Sequence, residues 1–146
     1  MKLNFIWDKK QEIDKVDIKA HPVNKDKLET LKQGFCTDVT LNVQNLKNNR
    51  KLRIDIHQIE VIVSLGHLSK ILLASKEEYL LQKRLKELQT LEANGFFRIN
   101  NSTILNLSQV ASFRSSEYAR LEVFTKNDNK YLVSRHYAKL IKEKLS

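Results

Sequence analysis

The chain has 146 residues, with 26 lysines and arginines against 17 aspartates and glutamates, a formal net charge of +9. That length holds one compact domain with at most a small appendage, and an apolar fraction of 41% excludes a wholly disordered chain. The positive excess fits a polyanionic partner, whether nucleic acid, an anionic membrane surface or an acidic protein face, without choosing among them.

Cys36 is the single cysteine, so neither an internal disulfide nor a cysteine zinc cluster is available. No apolar run approaches the roughly 18 to 20 residues of a membrane span. At the start, Asp8 follows Phe5, Ile6 and Trp7 too closely for a signal-peptide core, and a cytoplasmic, reducing setting is expected. With only Gly34, Gly66 and Gly95, the chain carries no dinucleotide fingerprint, phosphate loop or nucleophile elbow. The positive charge grows along the chain. Residues 1–40 hold 8 basic and 7 acidic residues, residues 41–95 hold 9 and 6, and residues 96–146 hold 9 and 4.

Taken in order, the first forty residues predict two short strands and a helix. Leu3, Phe5 and Trp7 alternate, as do Val16, Ile18 and Ala20. Asn24 is the expected N-cap of a helix over Lys25 to Gln33, with Leu28 and Leu31 on one face and Gly34 as its stop. From Thr40 the pattern turns β-rich. Leu41 and Val43, then Leu52, Ile54 and Ile56, alternate with polar neighbours around the turn-tolerant pair Asn48 and Asn49, predicting a hairpin with one buried face.

Ile59 to Val63 is a more continuous apolar run than the hairpin strands before it, expected to be a strand buried on both sides. Ser64, Gly66 and His67 break it before a strand at Lys70 to Ala74 and another at Tyr79 to Gln82. Arg84 to Leu91 has helical spacing and Gly95 ends it. Phe96 to Ile99, Ile104 to Leu107, Val110 to Arg114, Arg120 to Thr125 and Tyr131 to Val133 complete the strands, with a turn at Asn127-Asp128-Asn129. Ser134 caps a closing helix through Leu145, whose apolar stripe is Tyr137, Leu140 and Ile141. The fold class is therefore mainly β (α+β overall). A β-β-α appendage over 1–39 serves packing, a dimer or a partner, and 40–146 form the main domain.

Catalytic patterns are missing. His21, His57, His67 and His136 make no zinc-protease pattern, and Cys36 beside Phe35 reads as a small core residue rather than a nucleophile. No cofactor or small-molecule substrate is expected. The informative stretch is Phe96 to Leu107. It reads first as two strands and a polar turn, with Phe97 and Ile99 inward along with Ile104 or Leu105. Its bend nevertheless gathers a guanidinium, two carboxamides and a hydroxyl at Arg98, Asn100, Asn101 and Ser102. Arginine grips phosphate bidentately, and asparagine both donates and accepts at a base edge. A second polar, basic corner is Ser134-Arg135-His136, where a helix N-terminus adds free N–H groups. The loop from Ser64 offers His67, Ser69 and Lys70.

The run Phe96-Phe97-Arg98-Ile99-Asn100-Asn101-Ser102-Thr103-Ile104-Leu105-Asn106-Leu107, followed by Tyr131-Leu132-Val133-Ser134-Arg135-His136-Tyr137, resembles the LytTR DNA-binding domain. The segment Leu85-Lys86-Glu87-Leu88 fits as well, and the resemblance covers about residues 40–146. It implies a multi-stranded β fold with short helices that reads successive major grooves of double-stranded DNA through its loops. Carried over, His67, Asn101 and Arg135 are the base-reading residues. Ser69, Lys70, Arg98, Asn100, Ser102, Ser134 and His136 contact phosphate or support the loops. Asn100 departs from the family's usual histidine.

Forty N-terminal residues hold no receiver domain, and this portion resembles that of small stand-alone regulators often encoded beside an inhibitory integral-membrane protein. The implied partners are DNA with repeated sites, a second copy of the chain and such a membrane protein. The faces Leu3-Phe5-Trp7 and Val16-Ile18 either serve those partners or pack on the domain. The alternative function is a protein-interaction or membrane-surface-docking module without specific DNA binding. RNA binding is a third reading and an enzyme the last.

Overall fold

In a computed structural model, residues 2–13, 15–35 and 39–146 are described. Cys36 lies outside them. Ten strands run β1 Thr40–Asn45, β2 Lys51–Asp55, β3 Ile59–Leu65, β4 Leu68–Leu73, β5 Glu78–Leu81, β6 Phe96–Asn100, β7 Thr103–Asn106, β8 Val110–Ser115, β9 Leu121–Thr125 and β10 Lys130–Val133. Two helices, α1 Lys25–Phe35 and α2 Arg135–Leu145, lie before and after them. The segment Leu85–Asn94 between β5 and β6 is helical with the tighter 3-10 pitch.

Every strand pair is antiparallel. The large sheet has the order β2-β1-β5-β4-β3-β7-β6, and the small one β10-β9-β8. The predicted β1–β2 hairpin forms with Leu41 opposite Ile54 and Val43 opposite Leu52. Asn49 takes the left-handed conformation at its turn (φ 58°), which asparagine tolerates better than most residues.

Alternation along each strand divides the large sheet into two faces. One face places Leu41, Val43, Ile54, Ile62, Ile71, Leu73, Tyr79 and Leu81 in a core completed by Leu85, Leu88 and Leu91 of the 3-10 segment. The other places Val61, Ile99 and Leu105 against Leu121, Val123 and Val133 of the small sheet and Ile141 of α2. The central strands are thus covered on both sides. All four residues of β7 and the first four of β3 are buried, the polar Thr103, Asn106 and Glu60 included, as in strands covered on both faces.

Gly95 ends the 3-10 segment at φ 88°, a left-handed position that favours glycine. On α2 the buried stripe is Tyr137, Ala138, Ile141 and Leu145. Leu140 was expected inward but is 43% exposed. A 3.6-residue period puts it about 100° away from Ile141.

The two predicted N-terminal strands do not form among the described residues. Residues 2–13 and 15–20 lack regular structure, and Leu3, Phe5, Ile6, Trp7, Val16 and Ile18 are all exposed. Phe5 and Trp7 stack on each other, with centroids 6.1 Å apart. Asn24 does not cap α1. It ends a 3-10 turn, Pro22–Asn24, capped by His21, whose Nδ1 accepts from the Val23 amide at 3.2 Å. The helix then runs past Gly34 to Phe35.

Candidate nucleic-acid interface

Strand direction gathers the candidate loops at one end of the molecule. β3 and β7 are antiparallel with Val63 opposite Thr103, so the β3–β4 turn at Gly66-His67 and the β6–β7 turn at Asn101-Ser102 lie side by side. The Ser64 amide donates to the Ser102 carbonyl at 2.8 Å and joins them. β9 begins and β10 ends there too, with Leu121 opposite Val133. The β8–β9 loop and the start of α2 therefore share that end. The opposite end is a structural clamp. Glu60, fully buried at the irregularity in β3, accepts from Asn129 Nδ2 at 2.8 Å and Tyr131 Oη at 2.9 Å.

The two sequence motifs are bonded to each other. The Ser134 amide donates to the Ile99 carbonyl at 2.8 Å, and Asn100 Nδ2 donates to the Leu132 carbonyl at 3.3 Å. Asn100 Oδ1 also accepts from the Ser102 amide at 2.9 Å and from Ser102 Oγ at 3.1 Å. This Asx-type arrangement fixes the turn. Asn100 is thereby occupied as a brace. Arg98 Nη2 donates to the Asn101 carbonyl at 3.3 Å, and its Nε is buried without a partner. The bonds of Arg98 and Asn100 hold the turn from behind, while Asn101 and Ser102 stay exposed at its tip.

Ser134 is the N-cap of α2, but its side chain caps nothing. Its carbonyl accepts from the amides of Tyr137 and Ala138. Arg135 and His136 are exposed in a first turn that has no acidic residue. The Arg135 charge at the positive end of a helix dipole reinforces an anion-attracting field.

Asn101, Tyr118, Arg120, Ser134, Arg135 and His136 line one open depression, which contains no carboxylate. Asn101 and Arg135, 34 positions apart in the chain, thus share one surface. Tyr118 and Arg120 were not singled out by the sequence. They sit on the β8–β9 loop, where Tyr118 and Ala119 both adopt positive φ (58° and 59°). Consecutive left-handed non-glycine residues are strained, and such strain collects at functional loops. Tyr118 is 77% exposed and the Arg120 guanidinium lies 5.8 Å from its ring centre, a cation–π contact. The only signal in the sequence was the polar run Ser115-Ser116-Glu117 ahead of them.

The third candidate loop stands apart from that depression. Gly66 turns it at φ 64°, and His67 is exposed at its tip with Nδ1 against Arg84 Nη2. Ser69 is not available to a ligand. Period-two alternation places it with Ile71 and Leu73 on the core face of β4, fully buried, and its Oγ donates to the Lys83 carbonyl at 2.6 Å. Lys70 points to the other face and pairs with Glu78 at 3.0 Å, which already answers its charge. Arg84 was missed by the sequence reading as a partner of His67.

Among the described residues, no group of three or more metal-binding side chains assembles, and no helix is long and apolar enough to cross a membrane.

The mainly antiparallel β fold thus gathers polar and basic loops at one end. Residues 49–146 match the LytTr DNA-binding domain family, and the chain belongs to that family. The fold is similar to the LytTr DNA-binding domain of a methyl-accepting/DNA response regulator from Bacillus cereus, with a TM-score of 0.65 at 13% identity. That likeness covers 74% of this chain and 98% of the other. No curated protein matches the chain.

Proposed function

We propose that the chain is a sequence-specific, double-stranded-DNA-binding transcription regulator that reads adjacent major grooves with loops instead of a recognition helix. The observation that carries this is the meeting of Asn101 and Arg135 in one carboxylate-free depression with Arg120 and His136. Asn101 and Arg135 read base edges, each good contact contributing about 1 to 3 kcal/mol of discrimination. His67 reads a neighbouring step from the adjacent hairpin. Ser102, Ser134, His136 and Arg120 take phosphate oxygens, which position the duplex. Arg98 and Asn100 keep the Asn101 turn in shape.

We place the domain boundary near residue 40, because β1 is a full member of the large sheet, and assign residues 1–39 to control by a protein partner. The exposed cluster of Leu3, Phe5, Ile6 and Trp7 supports this role, since contiguous exposed apolar surface marks interaction sites. A second copy of the chain on repeated DNA sites, and a small membrane protein that restrains it, are the two partners this reading admits.

Enrichment of bound fragments from random duplex DNA tests the reading. One recurring sequence, bound more weakly as salt rises, is the expected result. Binding that shows no sequence preference, and that heparin or acidic protein competes equally well, supports the docking-module alternative and removes specific recognition.

A further inference from the structure

The outer face of the β2-β1-β5 edge of the large sheet carries a second basic surface that the loops leave unused. Register puts Asn42 opposite Arg53, and Gln44 opposite both Lys51 and Leu80. These residues share one face, and Gln82, two positions beyond Leu80, falls on it too. Leu41, Val43, Ile54 and Leu81 turn the other way into the core. Lys83 closes the loop end of the same groove, its position fixed where its carbonyl accepts from Ser69 Oγ. No aspartate or glutamate lines the groove. Lys51, Arg53 and Lys83 are all exposed, and none of them forms an ion pair among the described residues. Three unanswered cations interleaved with three carboxamides make a surface for a polyanion.

Strand order says which polyanion. Across the large sheet the sequence of strands is β2, β1, β5, β4, β3, β7, β6. At the loop end this order writes Arg53, then Lys83 and Arg84, then His67, then Asn101, with Arg135 beyond. The groove therefore continues the row of base-reading loops past His67, away from Arg135. At about 4.8 Å per strand, β2 lies about 17 Å from the His67 hairpin. That span is about five base pairs at about 3.4 Å each.

We propose that this face holds the DNA backbone on one flank of the recognised site and lengthens the footprint by about five base pairs beyond the step read by His67. This rests on the DNA-binding function proposed above. The contacts are to phosphate, so they add affinity and salt dependence without adding sequence preference.

The test uses the full chain, its K51Q/R53Q/K83Q variant and a charge-keeping K51R/R53K/K83R variant. The probes are duplexes recovered by the wild type from random DNA, trimmed stepwise on each flank. For the wild type, trimming one flank weakens binding about tenfold, whereas the neutral variant binds long and trimmed duplexes alike and still recovers the same sequence. Its plot of log affinity against log salt is shallower by about 2 to 3, near 0.9 per lost phosphate contact. The charge-keeping variant behaves as the wild type, and circular dichroism shows all three folded alike.

If the neutral variant equals the wild type on the long duplex in affinity and salt slope, the proposal is overturned while DNA recognition stands. If it loses binding to polyglutamate but keeps all its DNA affinity, the face serves an acidic protein and the proposal is again overturned. If the wild type recovers no sequence and binds no duplex, the DNA-binding function fails and takes this proposal with it.

Discussion

Residues 3–7 and residues 41–54 carry the same kind of pattern and meet opposite fates. Leu3, Phe5 and Trp7 alternate along the chain and are 67%, 75% and 89% exposed. Leu41, Val43 and Ile54 alternate along theirs and are 9%, 3% and 5% exposed. The difference is the partner. β1 pairs with β2 through a short local turn and with β5 from further along the chain, so its apolar side faces a core. Among the described residues, the polar contacts of the N-terminal arm are local, such as the Gln11 amide to the Asp8 carbonyl at 3.2 Å and Lys15 to Asp17 at 3.9 Å. Alternation marks a segment able to bury one side. Whether it does so depends on an available strand edge and an apolar face to cover.

Substitution separates the two regions most sharply. Ile99→Ala, at a site with no exposure on the face shared with α2, is expected to cost about 2 to 5 kcal/mol in urea unfolding. A cost below 1 kcal/mol there contradicts the two-faced core. Next comes the polar interior. Asn106 is 1% exposed, donates to the Ile59 carbonyl at 2.8 Å and accepts from Ser108. Asn106→Ala leaves those groups unpaired at about 1 to 3 kcal/mol. An unchanged denaturation midpoint contradicts its bracing role.

A smaller effect is confined to alkaline pH. Burial, and then the hydrogen bond to Glu60, raise the Tyr131 hydroxyl well above its ordinary value of 10. The unfolded chain therefore loses that proton first. This contribution to stability is whole below about pH 10 and drains away as pH rises further. Tyr79 shifts the same way through its bond to Glu77. Tyr131→Phe flattens the alkaline fall in a series of unfolding curves, and an identical fall in the variant counts against the buried contact. The smallest effect belongs to the arm. Trp7→Ala changes unfolding free energy by less than about 0.5 kcal/mol. The fluorescence of Trp7, the one tryptophan of the chain, is quenched by acrylamide nearly as freely as that of the free amino acid.

These contrasts show how much was legible in the sequence. From Thr40 onward every expected strand is present within a residue or two, because short antiparallel strands joined by tight turns find their partners close by in sequence. Asn101 and Arg135 were legible through motif and charge. Their meeting was not, since it depends on the bonds from Ser134 to Ile99 and from Asn100 to Leu132. Ser69 was misplaced by reading a loop where β4 had already begun at Leu68. Tyr118 and Arg120 had only the polar run Ser115-Ser116-Glu117 to announce them, because the left-handed pair Tyr118 and Ala119 leaves no compositional mark.

In the proposed function Asn101 and Arg135 read bases from one surface. Fragment selection from random duplex DNA by the full chain, Asn101→Ala and Arg135→Ala tests it directly. The expected result is that each variant, folded as the wild type by circular dichroism, loses preference at its own few base pairs and keeps the rest of the sequence. Recovery of the complete wild-type sequence by both variants at unchanged affinity would contradict it.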